Sequence, residues 1–254
     1  MEKTKTLRVT ALQVDINWCY ALKNLERIEH LIREAVESDV YVLPEMFATG
    51  FCMEPWVPGV SGMATSSLDW MRQVAGERNC AVCGSLAVCE DGKYYNRFYF
   101  VTPDEVYWYD KRHLFAYGGE NRAYTAGTQR VVVTFRGWRL LLQVCYDLRF
   151  PVFARNRKDY DVILYVANWP HSRIGAWDVL LRARAVENQC YVVAANRVGA
   201  DPHSLYSGHT VMLDAFGRTL ADGEEVKESL VSATLDMDSL VAFRKKFPVL
   251  DDAD

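Results

Sequence analysis

Apolar and polar residues follow two different periods along the chain. In the segments 21–37, 66–78 and 177–189, apolar residues recur every three or four positions, which predicts amphipathic helices, and 237–247 predicts a short helix with a basic end. Strands are predicted from alternating or continuous apolar runs at 7–13, 40–43, 81–89, 94–101, 106–109, 131–135, 138–144, 162–166, 191–195, 210–213 and 229–235. Because strands alternate with helices in both halves of the chain, we expect an α/β fold with mixed sheets.

The stretch 140–151, LLLQVCYDLRFP, is an apolar run that ends at a cysteine. Such a run predicts a strand buried on both faces, as in the parallel centre of an α/β sheet. The carboxyl end of that strand, where such sheets bind ligands, is occupied by Cys145. Asp147 is expected to cap a following helix over 151–157, with Pro151 in its first turn. Nearby backbone N–H groups would favour a thiolate, but a free cysteine is also often a buried core residue, so position alone leaves both interpretations open.

Three loops follow predicted strands, at 44–62, 110–127 and 168–171. The first is rich in glycine, proline and aromatic residues, the second is polar, glycine-rich and aromatic, and the third has the sequence NWPH. Since strand-end loops converge at one edge of a sheet, we expect Glu45, Lys111 and Cys145 to lie close together. A thiol that attacks a carbonyl, a carboxylate that moves protons and an ammonium that holds the oxyanion are the groups needed for acyl transfer. Taken singly, Glu45 or Lys111 would more often be a solvated or salt-bridged residue.

The composition is that of an ordinary globular protein. The chain has 254 residues, half of them hydrophobic, and a net charge of -4. We expect a single domain over 1–254. The absence of a basic stripe in the sequence argues against nucleic acid and anionic membranes as partners. The sequence has neither the apolar core of a signal peptide nor a run of about 18 apolar residues, so a cytoplasmic location is expected.

Seven cysteines, an odd number without regular spacing, indicate reduced thiols rather than a disulfide framework. Cys80 and Cys83 form one C-x-x-C within a predicted strand. Neither a second pair nor a histidine pair accompanies them in the sequence, so no metal site is expected.

Three motifs, LPEMFATGF, YDKRHLF and QVCYDLRFP, occur in this order. Together they resemble the Glu-Lys-Cys signature of the nitrilase (carbon-nitrogen hydrolase) superfamily, almost from end to end of the chain. The stretch NWPHSRIGAWDVLLRARAVENQCYVVAANRVGAD and the C-terminal KFP are most similar to the omega-amidase branch. That branch hydrolyses the side-chain amide of 2-oxoacid amides such as 2-oxoglutaramate and 2-oxosuccinamate, with release of ammonia. The resemblance implies a four-layer αββα sandwich of the nitrilase type with two mixed sheets, a homodimer or higher homo-oligomer, and no cofactor.

The resemblance also implies roles for individual residues. Cys145 matches the nucleophile that forms a thioester, Glu45 the general base and acid, and Lys111 the cation that stabilises the oxyanion. The backbone N–H of Tyr146 would be a second oxyanion donor. Glu120 matches an additional pocket carboxylate, although it is equally expected as a structural group that holds the loop. The charge of Lys111 is expected to lower the pKa of the thiol.

A small anionic 2-oxoacid amide requires a cation and aromatic walls. The candidates are Phe47, Phe115, Trp169 and Arg173. Arg149 is an alternative cation, for which we favour a structural ion pair because its motif is shared by family members with different substrates. His113 and His171 are expected at the pocket rim without a proton-transfer role.

Two alternatives remain open from the sequence. Within the superfamily, another amidase or N-carbamoyl hydrolase is the runner-up, for example a deaminated-glutathione amidase, and a true nitrilase ranks below it. A larger substrate would require a wider mouth around 169–177, whereas an omega-amidase should have a short pocket closed by aromatic residues. The second alternative is a binding or scaffold protein in which the thiol of Cys145 is only part of the core.

Overall fold

The structure is a computed structural model that describes residues 4–252 of the chain. In those residues, the helices are α1 (Ala21–Glu34), α2 (Ala64–Arg78), α3 (Glu120–Ala123), α4 (Pro151–Ala154), α5 (Ile174–Asn188) and α6 (Met237–Lys246). The strands are β1 (Thr6–Gln13), β2 (Val40–Val42), β3 (Ala81–Glu90), β4 (Lys93–Val101), β5 (Val106–Asp110), β6 (Val132–Phe135), β7 (Trp138–Val144), β8 (Val162–Ala167), β9 (Tyr191–Asn196), β10 (Val198–Ala200), β11 (Leu205–Ser207), β12 (Val211–Leu213), β13 (Thr219–Asp222) and β14 (Ser229–Asp236). Each helix within residues 4–252 is too short or too polar to cross a lipid bilayer.

Two mixed sheets lie face to face in the middle of the molecule. The first has the strand order β14-β1-β2-β3-β4-β5 and the second β13-β12-β9-β8-β7-β6. In each sheet three central strands run parallel, and the remaining neighbours pair antiparallel. Apolar side chains from both sheets form one buried cluster between them. Helices α1 and α2 cover the outer face of the first sheet, and α5 covers that of the second. The predicted four-layer αββα sandwich is therefore confirmed.

Strand β7 ends directly before Cys145, as predicted. Its residues 140–144 are completely buried. Leu140, Leu142 and Val144 point into the cluster between the sheets, whereas Leu141 packs on the α5 side. This burial on both faces explains why the sequence shows a continuous apolar run rather than an alternating one. Because β7 and β8 are parallel neighbours, the loops that follow them leave the same edge of the sheet.

The chain differs from the predicted elements mainly in short segments. Strands β10 and β11 form a separate two-stranded hairpin that was not predicted, and the edge strand β13 was also missed. These strands are three or four residues long, and β13 is largely exposed, so that they carry no clear apolar pattern. Helix α1 ends at Glu34, three residues before the predicted boundary.

The prediction for the segment after the cysteine was wrong in detail. The chain forms a 3-10 helix over Cys145–Arg149, and α4 covers only Pro151–Ala154 instead of continuing to 157. Asp147 does not cap α4. Its carboxylate instead accepts a hydrogen bond from the backbone N–H of Val144 at 3.0 Å. This bond stabilises the turn at Cys145, which lies between the two residues.

At the opposite end of β7 from Cys145, Asp161 links the second sheet to the C-terminal helix α6 through hydrogen bonds. Its side chain accepts hydrogen bonds from Arg139 of β7 and from Arg244 of α6. Burial by itself raises the pKa of Asp161, but the hydrogen bonds and charges of the two arginines outweigh burial and hold the pKa below the usual 3.8. The folded state therefore favours the ionised carboxylate.

We expect Asp161→Asn to lower the free energy of unfolding by about 3 kcal/mol at neutral pH, because two guanidinium groups lose their buried counter-ion. The folded pKa lies below the unfolded one, so the contribution of Asp161 is complete above about pH 4 and is lost as the pH falls through the folded pKa. Urea denaturation of both proteins across the acid range measures this. A stability difference that stays constant at low pH would contradict the assignment.

Candidate active site

The loops that carry Glu45, Lys111 and Cys145 meet at one edge of the sandwich. Glu45 follows β2 and Lys111 follows β5, both in the first sheet, whereas Cys145 follows β7 in the second. The three residues thus come from both sheets, not from one as expected. The ammonium Nζ of Lys111 lies 2.9 Å from Oε1 of Glu45. Both groups are close enough to the sulfur of Cys145 to act on its pKa, so the expected juxtaposition is present.

Glu45 is completely buried, and both of its carboxylate oxygens are bound. Oε1 accepts from Lys111 Nζ and, at 2.7 Å, from the amide of Asn96, while Oε2 accepts from the backbone N–H of Asn168 at 2.8 Å. The side chain of Asn168 also donates to the backbone carbonyl of Glu45 at 2.7 Å. Neither asparagine was predicted as a site residue, although Asn168 begins the third polar loop noted in the sequence. Together they fix the direction in which Glu45 faces.

Lys111 lies between two carboxylates without access to solvent. Its ammonium contacts both oxygens of Glu120, at 3.0 and 2.9 Å, in addition to Glu45. Burial by itself lowers the pKa of this amine, but the charges of Glu120 and Glu45 outweigh burial and raise the pKa above its usual value. Lys111 is therefore a fixed cation at neutral pH.

Glu120 holds the loop, as considered, and is also a partner of Lys111, but it does not line the cavity. It is fully buried, binds the ammonium of Lys111, and also accepts the backbone N–H of Phe115 at 2.6 Å, which holds the loop. Burial raises the pKa of Glu120, Lys111 opposes this, and the nearby charge of Glu45 adds to the rise. The carboxylates of Glu45 and Glu120 thus share the ammonium of Lys111. When both carboxylates are ionised, these three groups have a net charge of about -1.

Cys145 adopts an unusual backbone conformation. Its φ is +45°, in the left-handed region that a residue with a Cβ rarely occupies. The 3-10 helix starts at this residue, so the N–H of Tyr146 lies in the first turn and has no acceptor within the helix. The sharp turn leaves the side chain of Cys145 half-buried, at the wall of a cavity. Cys145 therefore reaches the cavity and is not enclosed on all sides by the core.

Lys111 lowers the pKa of the Cys145 thiol, as expected, but the net shift of this pKa is upward. Burial raises the pKa of the Cys145 thiol well above its usual value, and the adjacent Glu45 carboxylate raises it further. Lys111 lowers this pKa, but by less. The resting residue is a neutral thiol next to a carboxylate, which is the arrangement that general-base catalysis requires.

The cavity in front of Cys145 has a volume of about 610 Å³. Among the predicted substrate-binding residues, Phe115, Trp169 and Arg173 line it, but Phe47 does not. The ring of Phe47 is fully buried against Trp70 and fills the space left by the missing side chain at Gly84. Its assignment to the substrate pocket is therefore corrected. Phe51, from the same loop, lines the cavity instead and lies 5.3 Å from the ammonium of Lys111.

Two arginines face this cavity. The guanidinium of Arg173 lies over the ring of Phe115 and that of Arg149 lies over Trp169, each at 5.1 Å. Within residues 4–252, no carboxylate forms an ion pair with either of them. The expected structural ion pair of Arg149 is therefore wrong. Both cations remain available for an anionic ligand.

The histidines that line the cavity differ from those expected. His113 lies behind the site, where its ring contacts Asp147 at 2.8 Å, and His171 is exposed at the turn before α5. Neither lines the cavity. The hairpin of β10 and β11 contributes His203, Asp201 and Ser204 from its turn and Tyr206 from β11. No sequence signal placed that hairpin at the pocket, because its position depends on contacts with distant parts of the chain.

No group of three or more His, Cys, Asp or Glu side chains within residues 4–252 has the geometry of a metal site. Cys145, Arg149 and Arg173 line the cavity, whereas Glu45, Lys111 and Glu120 are buried and do not line it.

Comparison with known proteins gives matches over nearly the whole chain. A family model described as carbon-nitrogen hydrolase matches residues 8–245. An omega-amidase YafV of Yersinia enterocolitica is 45% identical over 98% of this chain and 97% of its own. A 2-oxoglutaramate amidase of Bacillus subtilis is 32% identical over 96% of each chain. The crystal structure of XC1258 from Xanthomonas campestris, a CN-hydrolase superfamily protein with an arsenic adduct in its active site, has a TM-score of 0.94 and 38% identity, covering 99% of this chain and 98% of that chain.

Proposed function

Because the chain belongs to the carbon-nitrogen hydrolase family, we propose that it is an omega-amidase that acts on small 2-oxoacid amides. Its substrates would be 2-oxoglutaramate and 2-oxosuccinamate, which yield the dicarboxylate and ammonia. Similarity to an omega-amidase and a 2-oxoglutaramate amidase over nearly the full length supports this substrate class. The observation that carries the proposal is the buried Glu45–Lys111 pair beside Cys145, at a cavity with two unpaired arginines.

The first half of the reaction forms a thioester. The sulfur of Cys145 attacks the amide carbon while Glu45 takes the proton of the thiol. The negative charge that develops on the carbonyl oxygen is held by the ammonium of Lys111 and the backbone N–H of Tyr146. Glu45 then returns the proton to the leaving nitrogen, the carbon–nitrogen bond breaks, and ammonia departs.

The second half releases the acid. Glu45 removes a proton from a water molecule, whose oxygen attacks the thioester carbon. The carbon–sulfur bond breaks, and the proton on Glu45 passes to the sulfur of Cys145, which restores the thiol. The raised pKa of Cys145 favours this last step, because a basic sulfur takes up the proton readily. Lys111 keeps its charge throughout, since the two neighbouring carboxylates raise its pKa.

The arginines account for the preference for an acidic substrate. An oxoacid amide bound with its amide carbon at Cys145 would extend its carboxylate into the cavity. Arg173 over Phe115 and Arg149 over Trp169 provide planar cations there, and guanidinium groups bind carboxylates through two parallel hydrogen bonds. We assign the principal contact to Arg173, because it is the less exposed of the two.

We expect Arg173→Gln to raise the KM for 2-oxoglutaramate about 10- to 100-fold, the value of one charge-assisted hydrogen-bonded contact, with little change in kcat. Arg72→Gln, on the exposed face of α2, is the matched control and should leave both constants unchanged. Steady-state ammonia release measures both effects. An unchanged KM, or a loss confined to kcat, would show that Arg173 does not bind the carboxylate.

The test of the proposed function is a panel of substrates. Ammonia release should be fastest, in kcat/KM, for 2-oxoglutaramate and 2-oxosuccinamate, and slower for deaminated glutathione, N-carbamoyl amino acids and simple nitriles. The Cys145→Ala variant provides the background rate. Lack of activity on the two 2-oxoacid amides would remove them as substrates.

A second candidate is an amidase or N-carbamoyl hydrolase with a larger substrate, such as a deaminated-glutathione amidase. The cavity favours this candidate in one respect. Its volume of about 610 Å³ is not that of the short, closed pocket expected for an omega-amidase, although Phe51, Phe115, Trp169 and Tyr206 do supply aromatic walls. The same substrate panel separates the two.

We also propose that the chain forms one catalytic domain over 1–254, assembles as a homodimer or higher homo-oligomer, and functions in the cytoplasm. Exposed apolar side chains on α5 and near the C-terminal helix, among them Val179, Val186 and Phe247, support self-association. Sedimentation equilibrium would give the oligomeric state, and a monomer at all concentrations would contradict this part of the proposal.

A further inference from the structure

Asp147 is a buried carboxylate next to the active site that the proposed reaction does not use. It is 0% exposed and accepts hydrogen bonds from four donors. These are the backbone N–H of Val144 at 3.0 Å, the hydroxyl of Tyr109 at 2.8 Å, the backbone N–H of His113 at 3.0 Å, and the ring Nδ1 of His113 at 2.8 Å. We assign the ring proton of His113 to Nδ1, because its partner is a carboxylate oxygen. Each of the two carboxylate oxygens thus has two hydrogen-bond partners.

Three of these four hydrogen bonds join two segments that are more than thirty residues apart in the sequence. Val144 directly precedes Cys145, so the Val144–Asp147 bond closes the turn that presents the sulfur. Tyr109 and His113 lie two residues before and two residues after Lys111. The carboxylate of Asp147 therefore binds a residue on each side of Lys111 as well as the turn at Cys145. These contacts link a loop of the first sheet to a loop of the second.

The hydrogen-bond partners of Asp147 are held in place by further contacts. Burial, followed by the charge of Asp147, raises the pKa of Tyr109 well above its usual value, so that its hydroxyl stays protonated and can donate. The ring of His113 stacks on Phe150 with 3.9 Å between centroids and 10° between planes. On its other side, the loop is held by Glu120, which binds Lys111 and the N–H of Phe115.

We propose that Asp147 is a positioning residue that sets the placement of the Cys145 sulfur relative to the Lys111 ammonium. This inference rests on the proposed function, in which those two groups act on the same carbonyl. A left-handed conformation at Cys145 persists only where its surroundings impose it, and the bond from Val144 to Asp147 is part of that restraint. A shift of about 1 Å between reacting groups can cost about 100-fold in rate.

The test is Asp147→Asn, which keeps the shape of the side chain but replaces one acceptor atom with a donor. Either the pair Val144 and Tyr109 or the pair of His113 donors then loses its acceptor. We expect kcat to fall about 30- to 100-fold with little change in KM. Alkylation of Cys145 by iodoacetamide, followed by peptide mass spectrometry, should slow by a similar factor, and the pH profile of its rate should shift.

Asp161→Asn is the matched control, because it also removes a buried carboxylate near β7 and β8 but lies at the opposite end of those strands. It should lose stability while keeping kcat and the alkylation rate of Cys145. Tyr109→Phe removes only one of the four donors and should lower kcat about tenfold, so it decides the question if Asp147→Asn does not fold.

A folded Asp147→Asn variant, or Tyr109→Phe in its place, that keeps both rates within about twofold of wild type would overturn the positioning role. The alkylation assay needs no knowledge of the natural substrate. If wild-type protein hydrolyses none of the amides, but Asp147→Asn still slows alkylation of Cys145 and Asp161→Asn does not, the proposed function fails while the positioning role stands.

Discussion

Replacing Cys145 with alanine is expected to abolish ammonia release, with a fall in kcat of at least about 10⁴-fold, because the proposed nucleophile is lost and water alone must attack the amide. The structure indicates that this substitution should remove activity without lowering the stability of the fold. The side chain is half-buried at the cavity wall, so its removal leaves no sealed hole in the core. We therefore expect the free energy of unfolding to change by less than about 1 kcal/mol.

Cys89→Ala provides the matched control for this variant, since Cys89 is an exposed thiol at the end of β3. It should keep full activity and stability. Steady-state kinetics and urea denaturation of the three proteins give the comparison. Activity of Cys145→Ala at a level close to wild type would exclude a thioester on this residue, and with it the whole reaction sequence described above.

Lys111→Met should remove both activity and stability. In the proposed reaction, the loss of the cation leaves the oxyanion without its charged partner, so kcat should fall by about 10³-fold or more. It also leaves the carboxylates of Glu45 and Glu120 buried without a counter-ion. Loss of one partner from a buried ion pair costs about 3 to 5 kcal/mol in the free energy of unfolding. Lys93→Met, at the exposed start of β4, should change neither property.

The destabilisation by Lys111→Met should depend on pH in a defined direction. Burial already raises the pKa of Glu120 above the usual 4.5, and removal of the ammonium that opposes this raise will increase it further. A carboxyl whose folded pKa exceeds its unfolded pKa costs nothing while it is protonated, and its cost grows as the pH rises above about 4.5. Urea denaturation should therefore show a larger defect at neutral pH than near pH 5, and an equal defect at both would contradict this account of the site.

Much of the fold could be predicted because the spacing of apolar residues along the sequence shows which faces of a helix or strand are buried. The run before Cys145 is continuous since β7 is covered on both faces, and α1 shows helical spacing since one of its faces packs on the first sheet. The positions of Glu45 and Lys111 were predictable for a related reason. Each follows a recognisable strand, and strand ends converge at one edge.

The remaining features depend on contacts that a local pattern does not contain. Phe47 was expected in the pocket because its loop is aromatic, but the space beside Gly84, some forty residues away, accepts its ring. Arg149 was expected in an ion pair, but no acidic side chain in residues 4–252 comes within reach of it, and Trp169 does. Asp147 was predicted as a helix cap, since the sequence does not reveal that Tyr109 and His113 would converge on it.

The central claim, that Cys145, Lys111 and Glu45 act on one acyl carbon, is tested most directly by a crystal structure of Cys145→Ala with 2-oxoglutaramate bound. We predict the amide carbon about 3.5 Å from the position of the missing sulfur, as in a near-attack geometry. The amide oxygen should face the ammonium of Lys111, and the carboxylate of the ligand should contact Arg173. A ligand whose amide group lies away from Lys111, with its carbonyl oxygen outside hydrogen-bonding distance of the ammonium, would contradict the account.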